Sequence, residues 1–206
     1  MTHTKSNRPP LETPGLARLA ADTVRKAHAV GLVDEAPDFE GLTYSTVQKV
    51  ISRVREAGIG AYAAGSLTRI DPADTDAIVR ELQRIESLIE ESPLPDTEWP
   101  RLIGVLGRDS LAARLGVSAS SVTRYEHGER HTPDEVAARL HFLALVVGDL
   151  AGAYNALGIR RWFERPRTAL AGRRPAELLD GDWRPEDEGA ARVRALAAAL
   201  LDSPAT

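Results

Sequence analysis

The chain of 206 residues is long enough for one medium domain or two small ones. Its composition, 43% hydrophobic and 27% charged, is ordinary for a globular protein, and the absence of cysteine excludes disulfides and thiolate zinc sites. No apolar run approaches the roughly 18–20 residues of a membrane span, and the polar N-terminus has no secretory signal. We therefore expect a cytoplasmic protein with no membrane partner.

The formal net charge of −4 argues only weakly against a nucleic-acid-binding protein, because DNA would meet one face of it. Residues 101–150 hold six arginines and six acidic residues, and residues 151–183 hold six arginines and four. The acidic excess lies elsewhere, largely in residues 71–98. Since the chain has only three lysines, nearly every cation is an arginine, which suits bidentate contacts to phosphate, carboxylate or guanine.

The N-terminal part is predicted to be a disordered arm followed by helices. Residues 1–14 are polar and contain three prolines, which favours disorder. Apolar residues at helical spacing predict one helix from Leu16 to Gly31 and a second from Val47 to about Ala57.

A third helix is predicted to begin with Asp71 as N-cap and Pro72 as its first residue. The Ser-Pro-Leu-Pro string at residues 92–95 should end this helix and is the best candidate for a linker. Residues 15–92 would then form a helical module. Because no chemistry-bearing motif occurs there, structure or dimerisation is its expected role.

After residue 95 the predicted elements are short helices, and no segment has a convincing strand pattern. An all-α fold is therefore expected. The predicted helices are Trp99–Leu106, Asp109–Leu115, Ser118–His127, Asp134 to about Leu157, Pro175–Leu179 and Pro185–Leu201, with Gly158–Arg165 as one further turn or two.

Residues 109–128 have the pattern of a helix-turn-helix. Gly116 permits a tight turn, and Ser118 can cap the second helix. The helices would be held on the core by Leu111, Ala112, Leu115, Val122 and Tyr125. The alternative reading of the same pattern is a hairpin of two helices without a DNA role.

The outward positions of the second helix carry short polar groups and one arginine, which suit phosphates and base edges in the major groove. This mixture predicts modest readout, so a dimer on two half-sites would be needed. The candidate DNA-binding residues are Ser118, Ser120, Ser121, Thr123 and Arg124 in the helix, with Arg130 and His131 just after it.

A second informative stretch, residues 154–179, mixes aromatic residues with arginines. Trp162 and Phe163 beside several arginines would make good anchors of a partner interface. They could equally be core residues with solvated arginines around them. The sequence leaves both readings open.

Residues 96–202 resemble the Xre/MbcA/ParS antitoxins. The string at residues 125–130 looks like the end of an Xre-type recognition helix, and Arg-Arg-Trp-Phe is followed by Pro and by Leu-x-Gly-x-x-Pro-x-x-Leu-Leu. The positions on this pattern are Trp162, Pro166, Leu170, Gly172, Pro175 and Leu178.

The resemblance implies an Xre-like helix-turn-helix domain at 96–150 and a toxin-binding domain at 151–206. It also implies a homodimer, operator DNA as a partner, repression of its own operon, and a toxin of the RES type that degrades NAD. The toxin-binding candidates are Arg160, Arg161, Trp162, Phe163, Arg165, Arg167 and Arg173. Of these, the arginines are expected to occupy the anionic-ligand site of the toxin.

Two alternatives stay open, a stand-alone Xre-family repressor and an interaction module that has lost DNA binding. An enzyme is not expected, because no His-Glu-x-x-His, Gly-x-Gly-x-x-Gly or Walker-type string occurs. We expect no cofactor and no metal, since the Asp-Gly-Asp-Trp run at 180–183 lacks the later ligands of a calcium loop. His141 is expected to be a packing residue.

Overall fold

The computed structural model describes residues 11, 13–34, 43–59 and 74–202. These residues form ten α-helices, one 3-10 turn and no strand, which confirms the all-α prediction. The helices are α1 (Pro14–Ala29), α2 (Tyr44–Glu56), α3 (Thr75–Glu91), α4 (Pro95–Leu106), α5 (Arg108–Leu115), α6 (Ala119–Glu126), α7 (Asp134–Ala151), α8 (Ala156–Glu164), α9 (Pro175–Leu178) and α10 (Glu188–Asp202), with the 3-10 turn at Thr168–Leu170.

The chain divides into two compact units. The N-terminal unit comprises residues 1–28 and 32–91, and the C-terminal unit comprises residues 29–31 and 92–206. The predicted helix-turn-helix and toxin-binding segments both lie in the C-terminal unit. Their division into two domains at residue 150 stays a prediction.

In the N-terminal unit, α1, α2 and α3 share a small apolar core. Its buried members are Leu16, Ala20, Val47, Ile78 and Leu82. At the surface Lys26 of α1 lies 2.7 Å from a carboxylate oxygen of Glu90 and 3.4 Å from one of Glu86, both in α3. Burial raises the pKa of the Glu86 carboxyl, and Lys26 opposes that shift.

The start of α3 differs from the prediction. Asp71 and Pro72 lie outside the described residues. Asp74 stands just before the helix, and its carboxylate accepts a hydrogen bond from the Ala77 amide at 2.9 Å. The helix therefore begins later than predicted, with an aspartate of the same capping type.

In the C-terminal unit α7 is the central helix, because residues 139–150 are buried without exception. It packs against α4, α5, α8 and α10. α4 in turn packs against α5, α6 and α8. The helices of the predicted DNA-binding and toxin-binding segments therefore share one core.

The end of α7 corrects the sequence-based prediction of a helix to about Leu157. α7 ends at Ala151, and α8 starts at Ala156 with Asn155 as N-cap, whose side chain accepts from the Gly158 amide at 2.9 Å. Among the described residues no single helix is long and apolar enough to cross a membrane. α7 and α8 pass that test only as a pair, and they are bent by 114°.

One buried polar pair connects α4 and α7. Nδ1 of His141 lies 2.5 Å from Oε1 of Glu98, and both side chains are buried. His141 is thus a packing histidine with a partner, as predicted. Burial raises the pKa of Glu98 above its usual value, and the contact with His141 opposes the shift. The second carboxylate oxygen of Glu98 is buried without a hydrogen bond to any described residue.

Candidate functional site

The α5–turn–α6 segment has the local features that the sequence predicts. Gly116 adopts a left-handed conformation with φ of 66°, and Ser118 caps α6 by accepting from the Ser121 amide at 3.1 Å. Gly128, also left-handed, follows the end of α6. The inward residues are buried, namely Leu111, Ala112, Leu115, Val122 and Tyr125.

Two tryptophans hold this pair of helices in the C-terminal unit. Trp99 of α4 is fully buried, stacks on Tyr125 with ring centroids 5.6 Å apart, and donates its indole N–H to Thr132. Trp183 donates its indole N–H to the Arg114 carbonyl at 2.7 Å. The α5–α6 pair is therefore fixed from both sides.

The turn between α5 and α6 meets the segment at residues 180–183. A Cβ atom built on Gly116 would lie 2.7 Å from the Gly181 carbonyl oxygen, and the Gly181 amide donates to the Ala113 carbonyl at 3.3 Å. Arg139 of α7 also donates to the Gly181 carbonyl, at 3.1 Å. A glycine is therefore required at residue 116 for two reasons, the positive φ and the close approach of the Gly181 carbonyl.

The N-terminal end of α6 brings three of the candidate DNA-binding serines together. The Ser118 hydroxyl oxygen lies 3.0 Å from that of Ser120 and 2.9 Å from that of Ser121. Because Ser118 serves as the cap, Ser120 is the freer hydroxyl of the three, and it is exposed. This cluster lies where helical N–H groups and the helix dipole favour an anion.

Thr123 is less available than the sequence suggests. Its hydroxyl donates to the Ala119 carbonyl at 3.2 Å and accepts from Arg108 at 3.0 Å. The same arginine lies 2.7 Å from a carboxylate oxygen of Glu126. Arg108 therefore positions α6 from the start of α5, a role that the sequence analysis missed because Arg108 precedes the recognised motif.

The remaining candidate DNA-binding residues are exposed. Arg124 makes only a long contact, 3.4 Å from Nε to the Ser120 carbonyl. Arg130 places its guanidinium 5.6 Å from the centre of the Tyr125 ring, and His131 follows it at the surface. Arg124, Arg130 and Ser120 thus form the accessible polar set on and beside α6.

The two aromatic residues of α8 are buried. Trp162 and Phe163 are 2% and 0% exposed, and their rings meet edge to face with centroids 5.3 Å apart. Together with Ile159 they form the inward face of α8. They are core residues with arginines around them, as one of the two readings expects, and their role in toxin binding stays a prediction.

Arg114 connects α5 to α8 from a buried position. Its guanidinium lies 4.9 Å from the Phe163 ring centre and 2.8 Å from a carboxylate oxygen of Glu164. It also donates to the Ser110 carbonyl at 2.8 Å. Sequence reasoning had no signal for this contact, because Glu164 is 50 residues away along the chain.

Three of the five candidate arginines hold backbone carbonyls. Arg160 donates to the Val105 carbonyl at 2.7 Å, and Arg173 donates to that of Glu177 at 3.2 Å. Arg167 lies over the Trp162 ring at 5.2 Å and donates weakly to the Trp162 carbonyl. Arg161 and Arg165 are exposed and have no ion pair or side-chain hydrogen bond to any described residue.

The segment after α8 closes into a compact loop. The Arg167 amide donates to the Arg173 carbonyl at 3.0 Å, and the Gly172 amide donates to the Arg167 carbonyl at 2.9 Å. Leu170 and Pro175 are buried beneath this loop, whereas Pro166 and Gly172 are exposed. Of the residues on the family pattern, Pro166 and Gly172 therefore lie in the exposed part of this segment, and Leu170 and Pro175 pack beneath it.

Two exposed apolar residues were not singled out from the sequence. Tyr154 is 37% exposed and Leu157 is 49% exposed, and no other large hydrophobic residue among those described is exposed to this degree. Leu157 lies in the first turn of α8, and Tyr154 lies in the connection before it. No group of three or more histidine, aspartate or glutamate residues in the described part of the chain could hold a metal ion.

Residues 143–200 match the family model of the antitoxin Xre/MbcA/ParS C-terminal toxin-binding domain. No curated protein sequence and no solved structure gives a significant match. The match begins inside α7 and extends almost to the end of α10. It confirms the resemblance to these antitoxins for the C-terminal part, supports an antitoxin role in a toxin-antitoxin system and implies a toxin partner.

Proposed function

We propose that this protein is the antitoxin of a type II toxin-antitoxin system, which neutralises a RES-type, NAD-degrading toxin and represses its own operon through α6. The family match at residues 143–200 is the observation that carries the proposal. The chemistry of the exposed arginines supports it, and so does the exposed polar face of α6. Since NAD is an intracellular substrate, the proposal assigns the protein to the cytoplasm.

Neutralisation would use the arginines of α8 and the loop that follows it. A site that holds the phosphates of NAD offers positive charge and hydrogen-bond donors and would repel a guanidinium, so the arginines would instead bind carboxylates of the toxin through paired hydrogen bonds. Arg161 and Arg165 are the best-placed candidates, because neither gives up a partner within the described residues on binding. Arg160, Arg167 and Arg173 would first have to release or share their carbonyl contacts.

Repression would use the exposed residues of α6. Ser120 and Arg124 lie on its outer face, where they could contact phosphate and a guanine edge in the major groove. Arg130 would contact the phosphate backbone. Because so few side chains would contact DNA, one chain should bind it with modest affinity. We therefore propose a homodimer that spans two half-sites.

The toxin-binding half is tested by co-expression with the neighbouring gene. We expect the chain to restore growth to cells that express this gene product, and to retain it in a pull-down. Failure of both rescue and retention would contradict the antitoxin role and favour a stand-alone repressor.

The DNA-binding half is tested separately by a gel shift on the DNA upstream of the gene. We expect a shift that weakens steeply with salt, as phosphate contacts require, and that Arg124→Ala reduces. The control is Gln83→Asp, which adds a negative charge at an exposed position in α3 and should leave the gel shift intact. The absence of any shift at low salt would remove the DNA-binding half alone.

A further inference from the structure

The exposed face of α8 has an apolar centre. Leu157 lies on the side of the helix opposite the buried Ile159, Trp162 and Phe163, and it is 49% exposed. Tyr154, in the connection before α8, is the neighbouring exposed hydrophobic residue. Isolated exposed apolar residues are common, but here two of them lie three residues apart beside arginines, and tyrosine and arginine are residue types that anchor interfaces.

The first turn of α8 holds Tyr154 in place. A Cβ atom on Gly158 would lie 3.0 Å from Cβ and 3.1 Å from Cδ1 of Tyr154. The missing side chain at residue 158 therefore leaves the space in which the tyrosine rests on the helix. A preformed position of this kind lowers the entropy cost of binding a partner.

The charges around this apolar centre are mostly positive. Arg160 and Arg161 lie one helical turn beyond Leu157 on the same face, and Arg165 follows the helix. The one acidic residue of α8, Glu164, is engaged by Arg114 at 2.8 Å. Glu164 lies on the same side of α8 as Leu157 and its side chain is 56% exposed, so the face presents three cations around Leu157 and one carboxylate, which already pairs with Arg114.

We infer that the α8 face, defined as Tyr154, Leu157, Arg160, Arg161 and Arg165, is the docking surface for an apolar pocket rimmed by carboxylates on the toxin. This inference rests on the proposed function. Its occupant is a different protein, because a second copy related by a two-fold axis would set the same arginines against each other. Tyrosine and arginine are also the residue types enriched among the side chains that dominate binding energy.

The test measures the Kd of purified toxin for the wild-type chain and for Leu157→Asp, by calorimetry. Since Leu157 is about half exposed, the substitution should leave the fold intact, as circular dichroism would show. We expect the Kd to rise at least about 30-fold, as for an anchor residue. Gln83→Asp, which adds the same charge to an exposed position in α3, should not change the Kd.

A second variant separates binding from stability. Gly158→Ala favours helix formation, yet its methyl group would displace Tyr154 from α8. We expect weaker toxin binding together with an unchanged or higher melting temperature. Unchanged toxin affinity in both Leu157→Asp and Gly158→Ala would overturn the inference while leaving the proposed function standing.

Two further outcomes distinguish the occupants. If Leu157→Asp halves the mass of the free protein in light scattering, the face joins two copies of this chain, and the inference is wrong. If the mass is unchanged while toxin affinity falls, the inference is supported. If the wild-type chain does not bind the toxin at all, the proposed function fails, and the inference falls with it.

Discussion

Glu98, buried beside His141, is one residue through which the stability of the fold should depend on pH. Glu98 is fully buried and one of its oxygens has no hydrogen bond within the described part of the chain, so ionisation is costly and its pKa is raised. A carboxyl with a raised folded-state pKa keeps its stabilising effect below its unfolded pKa. That effect is lost as the pH rises through the folded-state value.

Glu98→Gln should therefore remove the loss of folding free energy that the wild type shows as the pH rises. The amide oxygen can still accept from His141, and no charge forms on it. We expect the free energy of unfolding of the variant to rise relative to wild type between the usual carboxyl pKa of 4.5 and the raised value. Urea unfolding from pH 4 to pH 8 measures this difference, and parallel profiles would contradict the account.

The candidate toxin-binding arginines differ in whether they already make contacts within the described part of the chain. The double variant Arg161→Ala/Arg165→Ala removes the two guanidinium groups that have no partner within the described residues. We expect at least about a tenfold loss of toxin inhibition, equivalent to one charge-assisted hydrogen bond. The matched control is Arg80→Ala/Arg84→Ala, which removes two exposed arginines at the same spacing from α3. Equal inhibition by both double variants would refute the assignment.

At the scale of elements, the turn between α5 and α6 depends on residues far away in the chain. Gly116 and Gly128 have similar φ values, 66° and 68°. Only Gly116 faces a close neighbour, because a Cβ atom there would meet the Gly181 carbonyl at 2.7 Å, whereas Gly128 has nothing within 4 Å. Comparing a substitution at each glycine therefore distinguishes the cost of backbone strain from the cost of a steric clash.

Gly128→Ala should lower the free energy of unfolding by about 1 kcal/mol, because the alanine would be strained in a left-handed conformation. Gly116→Ala should cost at least about 1 kcal/mol more, because the added methyl also separates the turn from the 180–183 segment. Urea unfolding with a fixed m-value measures both free energies. Equal losses in the two variants would show that the contact with Gly181 contributes nothing to stability.

Sequence patterns predicted those elements whose signals are local. Ser118 as cap, Gly116 as turn and the inward face of α6 could all be inferred from neighbouring residues. The end of α7 could not, because apolar residues continue through the connection to Leu157 and hide the capping role of Asn155. The burial of Trp162 and the pairing of Arg114 with Glu164 depend on helices that are distant in sequence.

At the scale of the whole molecule, the C-terminal unit is expected to fold as one body. α7 belongs both to the predicted DNA-binding segment and to the matched toxin-binding segment, and α10 covers it through contacts that include Asp149 and Arg194 at 2.6 Å. Trp183 binds the end of α5 in the same unit. Binding at α8 and at α6 would therefore act on one shared core.

Truncation at residue 150 should expose that core. We expect a fragment of residues 92–202 to give a cooperative thermal transition and a fragment of residues 92–150 to give none. The shorter fragment would uncover the apolar side of α7, which is buried throughout residues 139–150. Circular dichroism and amide dispersion in NMR spectra measure this. A folded 92–150 fragment would show that the predicted DNA-binding segment is independent.

Under the proposed function, this chain neutralises an NAD-degrading toxin by binding it directly. The most direct measurement is NAD hydrolysis by the purified product of the neighbouring gene, titrated with the purified chain. We expect hydrolysis to fall to zero at a fixed stoichiometric ratio, and Leu157→Asp to shift the titration to higher concentrations. Undiminished hydrolysis at excess of the wild-type chain would contradict it.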